Sequence, residues 1–308
     1  ITNVAAGAEG TDAVNLDQPN AVADVAGTTN KYFQASGSAN SDAGAYVDGE
    51  DALAAGEAAN AIGNGASALG GGANAVADAA TAVGFNALAA AGNAAAFGAN
   101  AQAVGEYSVA VGADSIAAGE MSAAFGSGAS ADGEGALATG ALASASGQEA
   151  VASGYFATAN GTGATALGAE SVADGDKTTA VGYQANATGA QSVANGFSAT
   201  ADNRGTTAVG SLSTAAGDLA TAVGYGATAI GDYGTAVGLQ AEASGSSATA
   251  LGEFSIASGI ESTAVGGSAY NGLISAEAVG TNASAFGAGA GATGEFTTAA
   301  GSLSWARG

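Results

Sequence analysis

Glycine recurs every fourteen residues from Gly56 through Gly70, Gly84 and onward to Gly308, nineteen positions in a chain of 308 residues that holds 53 glycines. Two residues before each of them stands an alanine, from Ala54 to Ala306. Read along the chain, the series has no gap, so it predicts stacked copies of one short coil with no insertion or deletion. A helix is a poor host for it, because each glycine would cost about 1 kcal/mol relative to alanine. The sequence therefore predicts a solenoid, which offers an extended surface and no cleft.

Residues 206–219, TTAVGSLSTAAGDL, serve as a specimen coil. Thr207–Gly210 reads as one strand and Ser213–Gly217 as a second, with corners at Ser211-Leu212 and Asp218-Leu219. Fourteen residues suit two strands of about five each and two tight corners at roughly 3.3 Å per residue. Strand alternation separates the faces. The recurring alanine and glycine share one face of the first strand, and Ser213, Ala215 and Gly217 share one face of the second. The columns of Ser213 and Ala215 are small throughout, apart from Asn271, so the two faces are expected to pack back to back as a thin roll. The second glycine of the coil, seven residues after the first, is replaced only by Ala77, Ala91, Asn203 and Leu273.

The outward faces differ. On the second strand they carry Asn60, Asn74, Gln102, Ser130, Thr158, Asn186, Thr200, Thr214 and Glu242, a polar set expected to meet water. On the first strand the residue before the glycine is Val, Leu or Phe in thirteen of nineteen coils. These residues make an apolar stripe longer than a soluble monomer ordinarily exposes. The stripe members Leu69, Val83, Phe97, Val111, Phe125, Leu167, Val181, Val209, Val223, Val237, Leu251 and Val265 are expected to form a subunit interface. Alanines alone bury little area, so association must supply much of the stability. Phe85, Tyr155, Tyr183, Phe197, Tyr225 and Leu239 follow the glycine and are expected to extend the stripe and plug that interface; glycan stacking is the alternative.

Composition excludes several function classes. Net charge is −23, with Lys31, Lys177, Arg204 and Arg307 the only strong bases, which argues against nucleic acid or an anionic membrane as partner. There is no cysteine and no histidine, so thiolate metal sites, disulfides and the usual general base are absent. Lys177, beside Asp176 at a corner, is the only lysine within the repeats and a poor substitute, and no enzymatic activity is expected. No run of about 18 apolar residues suggests direct membrane insertion, and no signal peptide opens the chain.

The repeat, as in Ser108-Val109-Ala110-Val111-Gly112 followed by Ala113–Gly119, closely resembles the SVAIGxxSxAxG head repeat of YadA-like trimeric autotransporter adhesins. Residues 31–56 resemble the opening of such a head, and residues 2–18, TNVAAGAEGTDAVNLDQ, resemble the family's neck motif NVAxGxxxTDAVNxxQL. The resemblance implies an all-β, left-handed parallel β-roll of 14-residue coils, with three chains packed around a common axis. It implies a homotrimeric adhesin on the cell surface of a Gram-negative bacterium, anchored to the outer membrane by a region outside this segment and binding matrix proteins or other surfaces. The expected division is a neck-like segment at 1–18, a connector and head opening at 19–55, and the repetitive head at 56–308. Two departures stand out. The neck precedes a head where the family places it after one, and Pro19 replaces the usual leucine, where it is expected to interrupt a helix starting there.

Residues carried over by motif as a candidate ligand surface are Ser108, Val109, Ala110, Val111, Gly112, Thr178, Val181, Ser262 and Val265. Glu106, Glu120 and Glu134 share one corner of successive coils, as do Asp218 and Asp232. A solvated acidic edge is favoured over a Ca²⁺ ladder, so no cofactor or metal is expected. Thr207, Thr221, Thr235, Thr249 and Thr263 form a ladder of the kind that can bind ice, but it lies on the face expected to be covered. A structural fibre module, such as one from a phage tail, is the remaining alternative. A rod on the order of 90 Å long would bind through many weak, repeated contacts.

Overall fold

The computed structural model describes residues 4–32, 43–269 and 274–308. From Tyr46 to Ala306 the chain winds as a parallel β-solenoid. Each coil contributes a three-residue strand to one sheet and a two-residue strand to the other, which holds 19 strands. Neighbouring coils pair in register at the spacing of the repeat, Thr207 with Thr221 and Thr214 with Thr228. The strands are shorter than the five residues expected, because the glycines begin the corners. Gly210 has φ +130°, and the Ser213 N–H then bonds back to the Gly210 carbonyl at 3.2 Å, closing a tight turn. The Ala220 N–H closes the other corner on the Gly217 carbonyl at 3.0 Å. The first coil begins at Tyr46–Val47 and Leu53–Ala55, which pair with Asn60–Ala61 and Ser67–Leu69.

The interior is made of methyl groups. Among the described residues every buried hydrophobic side chain is an alanine, and the largest fully buried side chains are Thr178 and Thr206. Most hydroxyls that enter this core bond to the turn they border. Ser213 Oγ donates to the Gly210 carbonyl at 2.8 Å and Thr206 Oγ1 to the Asn203 carbonyl at 2.7 Å. Such pairing removes the cost of burying an unsatisfied polar atom. Ser108, Ser192 and Ser262 place Oγ in the same core with no partner among the described residues.

The expectation of a repeat free of insertions fails after Gly266. Ile256 pairs with Glu277 and Thr263 with Ser284, so the spacing there is twenty-one residues and not fourteen. Seven extra residues enter the chain here, and Ala269 and Ile274 form an isolated antiparallel bridge across this segment. Gly266 accordingly stacks on Gly287, while Gly280 and Gly294 continue the column of Gly259 in the other sheet. The glycine series runs through the insertion because both halves of the coil carry alanine two residues before glycine, so a shift of half a coil puts like on like. Val279 therefore leaves the apolar stripe and Phe286 takes its place beside Val265. Asn271 and Leu273, which broke the small-residue columns, fall within the insertion and lie outside the described residues. Deleting residues 268–274 should restore a 14-residue coil and leave the thermal melting temperature within a few degrees of the parent. A collapse of the melt would show that the inserted residues support the coils around them.

Before the roll, residues 4–16 fold as a compact loop leading into a helix, Asp17–Tyr32. The Gln18 side-chain amide pairs with both backbone groups of Gly7, donating from Nε2 and accepting at Oε1, each at 3.0 Å. Asn15 Oδ1 accepts from the Gln18 N–H and Gln18 Oε1 from the Asn15 N–H, the reciprocal arrangement of a capping box. Backbone N–H groups of Ala8 and Glu9 converge on the Asp12 carboxylate and hold its pKa below the ordinary value. Pro19 does not interrupt the helix as expected. It sits in the first turn, where an N–H would have no intrahelical partner. Residues 33–42, within the expected head opening, lie outside the described residues, as do residues 1–3. No helix among the described residues is long and apolar enough to cross a membrane.

Candidate functional site

The three-residue strands carry the apolar stripe. In Thr207–Val209 the central Ala208 points inward and is fully buried, while Thr207 and Val209 stand outward and half-buried. The larger stripe members are the more open, from Leu69 at 36% to Phe125 at 41% exposure within the single chain. Cross-coil pairing sets them directly above one another, Val209 on Val223 and Val237 on Leu251. Phe125 and Leu167 are separated by Thr139 and Ser153, and Asn195 stands between Val181 and Val209. The threonine ladder shares this face, each member half-buried beside a Val or Leu two residues on.

The corners hold what the sequence reading missed. The third residue of each turn lies in the left-handed region even where it is not glycine: Leu212 at φ +59°, Leu219 at +57°, Tyr107 at +57°, Lys177 at +56°. That position ordinarily favours glycine or asparagine. Apolar, polar and charged residues all occupy it, but no valine, isoleucine or threonine does, the exclusion that left-handed backbone imposes on branched side chains. Its geometry throws those side chains outward, and Tyr107, Met121, Leu142, Phe156 and Tyr233 are all exposed. The residue just after the first glycine is the second residue of its turn, so Phe85, Tyr155, Tyr183, Phe197 and Tyr225 are not in line with the strand. They form a separate, more open row on the corner, and Tyr183 and Phe197 stack at 5.7 Å between ring centroids.

The candidate ligand residues divide by burial. Ser108, Ala110, Thr178 and Ser262 are 0% exposed and line the alanine core, so they are withdrawn as surface contacts. Val109, Val111, Gly112, Val181 and Val265 stand half-buried on the outer side of the three-residue strands or at the glycine. The signal for burial was present in the sequence. The column of Ser108 holds only alanine, glycine, serine and threonine from Ala66 to Thr297, once the insertion is taken into account.

Acidic side chains on the second corner bond the coils together. Asp232 Oδ1 accepts from the Asp218 N–H at 2.9 Å, Asp176 Oδ1 from the Thr162 N–H at 3.0 Å and Asp78 Oδ1 from the Asn64 N–H at 2.9 Å. Just before the glycine that opens the same corner, Ser146 Oγ donates to Asn160 Oδ1, and Asn160 Nδ2 to Asp174 Oδ1, each at 2.8 Å. Among the described residues no three acidic groups converge on a point where a metal ion could be held.

A family model for the YadA head domain repeat, two copies long, matches ten segments between residues 61 and 304. Its segments start at alanines of the two-residue strands, and between 243–269 and 278–304 it skips the seven-residue insertion. No curated protein matches the chain.

Proposed function

We propose that this chain, which belongs to the YadA head-repeat family, is the trimeric head of an adhesin displayed on the surface of a Gram-negative bacterium and anchored in the outer membrane by another region. The observation that carries the reading is the stripe from Leu69 to Val265, now extended to Phe286, on a roll whose interior holds nothing larger than threonine. An alanine core buries little apolar area per residue. Three stripes turned toward one axis, in the left-handed winding usual in the family, supply the missing burial. Association then leaves the polar two-residue sheet and the corners facing outward.

Attachment and not turnover follows from that surface. It is shallow and repeated, it lacks histidine and cysteine, and its charge of −23 repels nucleic acid. Its partners are extracellular matrix proteins or other surfaces, bound weakly by each coil and firmly by many. The neck-like residues 1–18 and the connector 19–55 lead into this head. The test is a solid-phase screen of the chain against matrix proteins, glycans and abiotic surfaces, with its mass followed by light scattering. Saturable attachment by a species of three chains supports the reading. A stable monomer that attaches to nothing, or that binds ice through Thr207 to Thr263, overturns it.

A further inference from the structure

We infer that one corner of each roll carries a shallow binding site for a neutral pyranose unit of a polysaccharide, formed by Tyr155, Phe156, Ala169, Glu170, Tyr183 and Gln184. This rests on the reading of the roll as an attachment surface, and it names the ligand class. Tyr155, Ala169 and Tyr183 occupy the same corner position on three successive coils. Coils rise about 4.8 Å each, so the two tyrosines stand roughly 9.6 Å apart with only a methyl group on the coil between them. That spacing is too wide for ring-to-ring contact and leaves room for one ring of a ligand. Both tyrosines are open to solvent, 52% and 44% exposed. Phe156 packs edge-on against Tyr155, with centroids 4.6 Å apart and planes at 89°, which adds apolar surface to one wall.

The polar half of the site stands beside the gap. Glu170 follows Ala169, Gln184 follows Tyr183, and Gln184 Nε2 donates to Glu170 Oε2 at 2.7 Å. Both residues hold left-handed backbone, as does Phe156, at φ between +55° and +57°, the geometry that turns their side chains off the roll. An amide and a carboxylate held together offer several acceptors and a donor to vicinal hydroxyls. The C–H face of a pyranose matches the aromatic walls. The surrounding charge of −23 selects against sialylated, sulfated or uronic chains. Other coils do not repeat this set. Phe197 and Tyr225 also stand two coils apart, but Ser211 lies between them and Leu212 follows where Glu170 would be.

The experiment offers the intact chain insoluble cellulose and chitin, soluble cellohexaose and chitohexaose, and hyaluronate as the acidic control. Each is offered to the parent, to Tyr155→Ala/Tyr183→Ala, and to Tyr155→Phe/Tyr183→Phe. Expected are retention on a neutral polysaccharide, a loss of at least tenfold in the alanine variant with the oligomer's mass unchanged, and recovery in the phenylalanine variant. Attachment to matrix protein without any to polysaccharide overturns the site and leaves the adhesin reading standing, whereas attachment to nothing removes both. Dissociation of the oligomer in the alanine variant also overturns it, since the row would then be part of the interface. Equal retention on hyaluronate would refute the charge argument and the neutral ligand with it.

Discussion

Replacing Gly112 with alanine should lower the stability of each chain by roughly 3–5 kcal/mol, a large effect for a single added methyl group. Two costs combine. A Cβ at Gly112 would lie 2.5 Å from the Gly126 carbonyl oxygen of the next coil, and the backbone holds φ +134°, where side chains are rarely found. Neither can relax alone, because moving the residue breaks the bond from its N–H to the Phe97 carbonyl at 2.8 Å. Gly119 provides the comparison. A Cβ there would run still harder into the next coil, 2.0 Å from the Gly133 carbonyl oxygen, but no positive φ is required. That column already contains Ala77, Ala91 and Asn203, so local tilting of a coil can admit a side chain. Gly119→Ala should therefore cost well under half as much. Thermal melts followed by circular dichroism decide the matter, and equal losses would show that the clash alone, and not the backbone conformation, keeps the first column free of exceptions.

The second large effect concerns assembly. Val209→Asp combined with Val223→Asp puts two charges on adjacent coils of the stripe, and burying an unpaired carboxylate costs several kcal/mol. The doubly substituted chain should run as a monomer in light scattering. Its attachment in the solid-phase screen should fall by a factor of about 10²–10⁴, since three linked surfaces become one. Thr214→Asp with Thr228→Asp adds the same charge to the other sheet and should leave the mass and most of the attachment in place. If the two pairs behaved alike, the stripe would not be the interface.

Much of this architecture could be read from residues. The alternation in Thr207–Gly210 and Ser213–Gly217 gave the inward faces, and the small columns gave a core that admits nothing bulky. Three features stayed hidden, each for a physical reason. The half-coil shift was invisible because Ala264-Val265-Gly266 and Ala278-Val279-Gly280 are the same tripeptide in different sheets. Only Asn271 and Leu273, large residues in otherwise small columns, signalled it. The left-handed corners were hidden because Leu, Tyr, Lys and Glu stand there beside glycine and asparagine, and the only trace was an absence, of valine, isoleucine and threonine, from that column. The burial of Ser108 and Thr178 was obscured by reading a family motif as a surface, although their own column holds nothing but small residues.

The insertion after Gly266 bears on how such a head can change over generations. Adding or losing fourteen codons, one turn of the roll, keeps every alanine inside and every stripe residue outside, so the gene can alter reach in increments of about 4.8 Å without redesigning either end. A gain of seven residues keeps alanine and glycine at their places in the pattern, as it does after Gly266. A gain of one would turn the whole alternation over and drive valine into a space sized for methyl groups. The same redundancy that makes the coils hard to tell apart makes whole-turn duplication and loss the mutations this protein tolerates best, and it makes length the trait most open to selection.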